Sequence, residues 1–197
     1  MYINTITLQY PLSEQDIRAA MPNTSFPFPF PCPDDYAVVF PAPQPAYNTV
    51  TEYAKEIAPV LTSKGTWEQQ WEVAPRFTEY TDDNGVVHTV AEQEAAATAA
   101  DQIAKNASVK ASIIQQTQAR LDVFAMTRNY DNILSACSYS TSPTLKFSTE
   151  GQYCVAQRDA TWAKLLEIMD EVTAGTRPVP FGYNEIEPEL PVLIWPI

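Results

Sequence analysis

Proline placement restricts this chain more than any other feature. Ser25 to Pro33 reads SFPFPFPCP, and a second cluster, PAPQP, fills positions 41–45. Proline offers no backbone N–H and fixes φ, so neither stretch can be helix or central strand. The arm over residues 22–46 must therefore run extended, and each residue before a proline is pushed towards β or polyproline geometry. In a pleated strand Phe26, Phe28 and Phe30 share one face, whereas in a polyproline helix they fan around the axis. The first arrangement makes a stiff strip with one aromatic side. Seventeen prolines against five glycines indicate irregular segments that are rigid rather than loose.

The rest of residues 1–90 carries β signals. Apolar and polar residues alternate near the start, which predicts a strand over Thr5–Tyr10, ended by Pro11. Ser13 precedes Glu14–Met21, with Asp16 three residues on, a capping pattern for a short helix stopped by Pro22. Asp35–Phe40, DYAVVF, predicts a second strand. Lys64-Gly65 and Asn84-Gly85 sit between apolar runs and predict two hairpin turns. Trp67, Gln69, Trp71 and Val73 fall on one face of a strand at period two. Residues 1–90 therefore read as a small, mostly antiparallel β domain with one helix.

Composition changes at Ala91. Residues 91–126 contain no Gly or Pro and are rich in Ala, Gln and Lys, which predicts one long helix. Ala100, Ile103, Ala107, Lys110, Ile114, Thr117, Leu121 and Phe124 follow 3-4 spacing, a narrow seam interrupted by Lys110 and Thr117. Two readings stand side by side: a surface helix packed on its own domain, or homo-oligomerisation through this seam. Residues 127–197 predict a helical domain. Tyr130, Ile133 and Leu134 face inward from a short helix, and Ser142-Pro143 breaks it. A last helix covers Thr149–Ala174 with Val155, Trp162, Leu165, Leu166, Met169 and Val172 as its stripe, capped by Gly175. TRPVPFGYNEIEPELPVLIWPI then forms a second proline-broken apolar arm. The fold class is α+β: an antiparallel β-rich N-terminal domain followed by a mainly helical C-terminal one.

Several function classes lose support. With net charge −12 and no cluster of Lys and Arg, the chain lacks the footprint of a nucleic-acid or anionic-membrane binder. No run approaches the ~20 apolar residues of a membrane helix, and the first residues do not read as a signal peptide. Cys32, Cys137 and Cys154 contain no CxxC pair, which suits reduced thiols in a cytoplasm. The single histidine, His88, stands in a hairpin strand with no nucleophile signature around it. TDDNGVV reads as a turn and not a calcium loop. No phosphate-binding glycine motif is present. The expectation is no catalytic residue, no metal and no cofactor.

The ordered set LQYPLSEQDIRAAMPNTSFPFP, YAVVFPAPQPAYNTVT and GTWEQQWEV resembles the N-terminal region of small proteins encoded among the tail genes of tailed bacteriophages. The later set, TRNYDNILSACSYSTSPTLKFSTEGQYCVAQRDATWAKLLEIMDEVTAGTRPVP closing on LPVLIWP, is similar to a module that ends many phage tail-fibre and tail-fibre-assembly proteins. Together they cover most of the chain outside the Ala-rich helix. The resemblance implies a tail accessory protein made in the host cytoplasm. It would be either a structural adaptor in the virion tail, docked on tail or fibre subunits, or an assembly chaperone absent from the finished particle.

For such a role the sequence offers aromatic and apolar anchors: Phe26, Phe28 and Phe30 in the first arm, Trp67 and Trp71 in the β domain, Leu193 and Trp195 in the last arm. Pre-stiffened arms lose less entropy on ordering. The competing reading of the Phe-Pro strip is that it covers an open sheet edge.

Overall fold

The computed structural model describes residues 1–196. They are α+β, with a β-rich N-terminal part followed by long helices. The chain divides into two compact units, Met1–Ala99 and Ala100–Ile197.

The first unit is built on a four-stranded sheet of β1 (Tyr2–Asn4), β2 (Tyr36–Phe40), β3 (Glu52–Leu61) and β4 (Trp67–Pro75), in the order β1-β2-β4-β3. β1 pairs antiparallel with β2, aligning Ile3 with Ala37, and β3 pairs antiparallel with β4. The β2–β4 junction is parallel, with Val39 opposite Trp67, so the sheet is mixed. Gly65 turns the β3–β4 hairpin at φ 77°, a conformation that favours glycine. The β3 register shifts between Ile57 and Val60, where Pro59 interrupts the ladder of this edge strand. β5 (Tyr80–Thr81) and β6 (Val87–His88) form a separate small hairpin.

Helix α1 (Glu14–Ala20) starts where the capping pattern predicts. Ser13 Oγ accepts from the Asp16 N–H, and the Asp16 carboxylate accepts from the Ser13 N–H at 2.7 Å. Ile17 of α1, Ile3 of β1, Val39 of β2 and Leu12 are the large apolar side chains this small unit buries.

The strand predicted over Thr5–Tyr10 is not there. β1 ends at Asn4, whose side-chain oxygen accepts from the backbone N–H of Ile6 (3.0 Å) and Thr7 (2.8 Å). That local turn competes with the ladder, and it leaves Ile6 and Leu8 exposed.

Helix α2 (Val90–Met126) is a single run that begins with a capping box: Thr89 Oγ1 accepts from the Glu92 N–H, and Glu92 accepts from the Thr89 N–H at 3.0 Å. Its first turns belong to the first unit, where Gln93 Nε2 donates to Thr78 O at 2.9 Å. Its later turns build the second unit together with α3 (Ile133–Ser138), a 3₁₀ turn over Tyr139–Thr141, α4 (Leu145–Thr173), and α5 (Tyr183–Ile186) with the 3₁₀ turn Glu187–Glu189.

Two apolar clusters fill the second unit. One joins Ile113, Leu165, Ile168, Tyr183, Ile186 and Leu190; the other joins Leu121, Ala125, Tyr130, Ile133, Ala136 and Cys154. The buried face of α2 is thus Ile113, Thr117, Leu121 and Ala125. The predicted seam is followed only over Thr117, Leu121 and Phe124, and Ile103 and Ile114 stay exposed.

α4 starts four residues earlier than predicted. Its buried stripe is Cys154, Thr161, Leu165 and Ile168, with Trp162 and Met169 at its margin, while Leu166 is exposed. In α3, Ala136 and Ile133 face inward and Leu134 does not. Small residues take part in both buried faces: Ala136 is fully buried in α3, and Gly151 of α4 lies against the backbone of the Tyr139–Thr141 turn. A Cβ on Gly151 would stand 2.6 Å from the Tyr139 carbonyl carbon and closer still to Ser140 N.

Candidate docking surfaces

The predicted anchor residues separate into those used inside their own unit and those left free. In the first arm, Phe30 packs edge-on against Tyr2 (ring centroids 5.8 Å) and tilts against Phe26 (5.0 Å). The Arg18 guanidinium of α1 lies over both rings, 5.3 Å from Phe26 and 5.0 Å from Phe30. Phe28 is 99% exposed. The three phenylalanines therefore do not share one face: Phe26 and Phe30 clamp the strip and Phe28 projects into solvent. The strip also does not extend the sheet. The N–H and C=O of Tyr2 on the outer edge of β1 pair with Leu12, at 2.9 and 3.0 Å.

The second proline cluster is held by β4. Trp71 Nε1 donates to Ala42 O at 2.9 Å, and the Ala42 N–H donates to Gln69 Oε1 at 3.3 Å. Gln69 Nε2 in turn donates to Glu56 Oε1 at 2.7 Å, and the Tyr10 hydroxyl donates to the same carboxylate. Burial, reinforced by that contact with Glu56, raises the Tyr10 pKa to about 12. Trp71 thus fastens proline-rich backbone, which has no ladder partners of its own. Trp67 is half-buried at the head of β4.

Leu193 and Trp195, expected on a docking surface, instead close the second apolar cluster of their own unit. Trp195 stacks on Phe124 (4.3 Å, 16°) beneath the Arg128 guanidinium (4.9 Å), and its Nε1 donates to Thr127 Oγ1 at 2.8 Å. Arginines complete the arm's unpaired carbonyls: Arg120 donates to Pro191 O (2.7 Å) and Arg128 to Pro196 O (3.3 Å). The Ile194 N–H donates to the Tyr153 hydroxyl at 2.8 Å.

The arm leaves a different side chain free. Phe181, between buried Pro180 and Gly182, is 91% exposed. Its loop is fixed from both sides. The Phe181 N–H donates to Glu185 Oε2 (3.2 Å), and Arg177 makes a bidentate pair with Glu189 (3.0 and 2.5 Å). Burial of Pro180 against the helices was not readable in sequence; the available signal was the Pro-x-Pro-Phe pattern, which matches Pro27–Phe30 of the first arm.

Beside this loop an apolar cavity of about 220 Å³ opens between α2 and α4. Val109, Ile113, Leu165, Met169, Val179 and Pro180 form its walls, and Lys110 and Asn106 stand among its polar residues.

Glu150, His88 and Cys154 are each engaged in pairing or packing within their own unit. Glu150, 3% exposed, accepts from the Tyr130 hydroxyl at 2.7 Å and pairs with Arg128. Burial pushes its carboxyl up, but those two donors outweigh it and hold the pKa below the usual range. The result is a structural bridge from α4 to the end of α2. His88 stacks on Tyr80 (4.7 Å) with Nε2 3.4 Å from Asp82. Cys154 is buried, and burial pushes its thiol to about 12, far from a reactive thiolate. Among the described residues, no three His, Cys, Asp or Glu side chains are placed to share a metal ion, and no helix is long and apolar enough to cross a membrane.

Comparison with protein-family models, curated proteins and solved structures returns no match to this chain.

Proposed function

We propose that this chain is a non-enzymatic adaptor of a phage tail, which docks on neighbouring tail or fibre subunits through rigidly presented aromatic side chains. Phe28 carries the reading. A phenylalanine 99% exposed is costly to leave in water, yet here its two neighbours in the strip are held by Arg18, so the backbone on either side of the free ring is anchored. Burying such a ring in a partner pocket is worth roughly 1.5–3 kcal/mol, and little ordering entropy opposes it. Central, pre-organised aromatics of this kind dominate the energetics of many interfaces. The order of tail-gene-like segments along the sequence supplies the biological setting.

Mass spectrometry of purified virions tests the reading. The chain should be present in stoichiometric amount, and Phe28→Ser should remove it from the particle without unfolding it. Absence of the unmodified chain from virions that need it for assembly would transfer the function to a fibre-assembly chaperone.

A further inference from the structure

We propose that the second unit forms a two-fold dimer in which Phe181 of each copy enters the apolar cavity of the other. This goes beyond the adaptor reading and does not depend on it. Knob and hole lie side by side: Pro180 and Val179 are in the cavity wall, and Phe181 is the next residue, 91% exposed on a loop held by Glu185 and Arg177. When a projection and its receptor neighbour each other on one surface, a two-fold axis satisfies both twice, which is the self-complementary geometry of the commonest homodimers.

Size agrees. A phenyl ring needs less room than the cavity's ~220 Å³, since apolar cavities of ~150 Å³ already take benzene. Charge agrees as well. Lys110 on the cavity rim has no ion-pair partner among the described residues, and the Glu185 carboxylate sits against the Phe181 backbone. Entry of Phe181 brings Glu185 of one copy to Lys110 of the other, so a chain of net charge −12 meets itself at one of its few cations.

The surrounding surface extends the contact. Ile103, 69% exposed, Ala107 and Ile114 share the α2 face that carries Lys110, so an apolar margin continues beyond the cavity. A stable homodimer needs roughly 800 Å² from each partner, so the contact draws on this α2 face as well as on the Phe181 loop.

Sedimentation velocity on the full chain over a concentration series tests the proposal. The expected result is a monomer–dimer equilibrium that stops at the dimer. Phe181→Ser and the cavity-blocking Ala107→Trp should each weaken it about thirtyfold or more, Lys110→Glu about tenfold, and Lys110→Arg hardly at all. Both Phe181 and Ala107 are exposed, so far-UV circular dichroism and thermal melting should match the unmodified chain. In a mixture of isotope-labelled and unlabelled protein, carbodiimide should link Lys110 to Glu185 across copies. A monomer at every concentration, or Phe181→Ser dimerising as tightly as the unmodified chain, overturns the proposal. Neither result touches the adaptor reading, which depends on Phe28 and is read in virions.

Discussion

Trp195 lies face to face with Phe124, ring centroids 4.3 Å apart and planes 16° from parallel, so the C-terminal arm is part of a core. The indole adds a hydrogen bond to Thr127 and lies under Arg128. Trp195→Ala removes the stack, the hydrogen bond and the cation contact together. The expected loss is about 2–4 kcal/mol in urea unfolding of the second unit. A change below about 0.5 kcal/mol would show that the arm is only laid on the surface.

The free and the clamped rings of the Phe-Pro strip should separate stability from binding. Phe28→Ser should leave stability within about 0.5 kcal/mol, as for exposed sites without partners, while weakening attachment to the tail partner about thirtyfold. Phe30→Ala should do the reverse in kind: it breaks the packing with Tyr2, Phe26 and Arg18 and loosens the first unit. Equal behaviour of the two variants in both measurements would show that the strip is not divided into clamp and knob.

Gly151 permits a close backbone approach in the second unit. A methyl group there meets the backbone of the Tyr139–Thr141 turn, which cannot swing aside as a side chain would. Gly151→Ala should therefore cost about 1–3 kcal/mol despite alanine's better helix propensity. Unchanged or higher stability in thermal or denaturant unfolding would mean that α4 and the turn are separated further in solution.

Acid should act through Glu150. Its carboxyl is held below its unfolded value near 4.5, so its stabilisation is full above that value and is lost as pH falls through the folded pKa. Glu150→Ala leaves the Tyr130 hydroxyl and Arg128 without their acceptor, and unfolding at neutral pH should show a loss of about 3 kcal/mol, the low end for a broken buried pair because Arg128 is partly solvated. The variant should also lose less stability between neutral pH and pH below about 4 than the unmodified chain does. A parallel pH profile would assign the acid sensitivity to other carboxylates.

Alkali should act through Cys154 and Tyr10, whose pKa values rise from 9.0 and 10.0 to about 12. Raised values mean that the folded state keeps these protons longer. The associated stability is present below pH 9 and disappears as pH climbs from 9 through 12. Cys154→Ala should flatten the decline of the second unit's melting temperature over that interval, and an unchanged slope would exclude the thiol as its source.

Local signals in the sequence decided much of the fold by themselves. The Ser13/Asp16 cap, the Gly65 and Gly85 turns and the uninterrupted helix before Thr127 all depend on residues within one turn of each other, so their energetics can be read from adjacent letters. The first proline arm was legible as neither helix nor central strand for the same reason, whereas the last arm, expected to run extended, coils into α5 over Tyr183–Ile186 and a 3₁₀ turn over Glu187–Glu189, because Pro188 falls in a first turn where no N–H is needed. Which face of each element is buried is a different question, because it depends on what the opposite element presents. Thus α4 turns Cys154 and Ile168 inward instead of Leu166, because those two meet the apolar side chains of α2, α3 and α5. Among the seven expected anchors, composition could not distinguish Trp195, which Phe124 and Arg128 take into a core, from Phe28, which nothing in its unit touches closely enough to shield. Phe181 shares the Pro-x-Pro-Phe pattern of the first arm, but its exposure follows from the burial of Pro180 and Tyr183 on either side of it and from the hydrogen bond to Glu185, which the pattern does not encode. Sequence determined where the chain is stiff and greasy; only tertiary contacts decided which of those side chains are left over, since exposure is what remains after every other residue has found its partner.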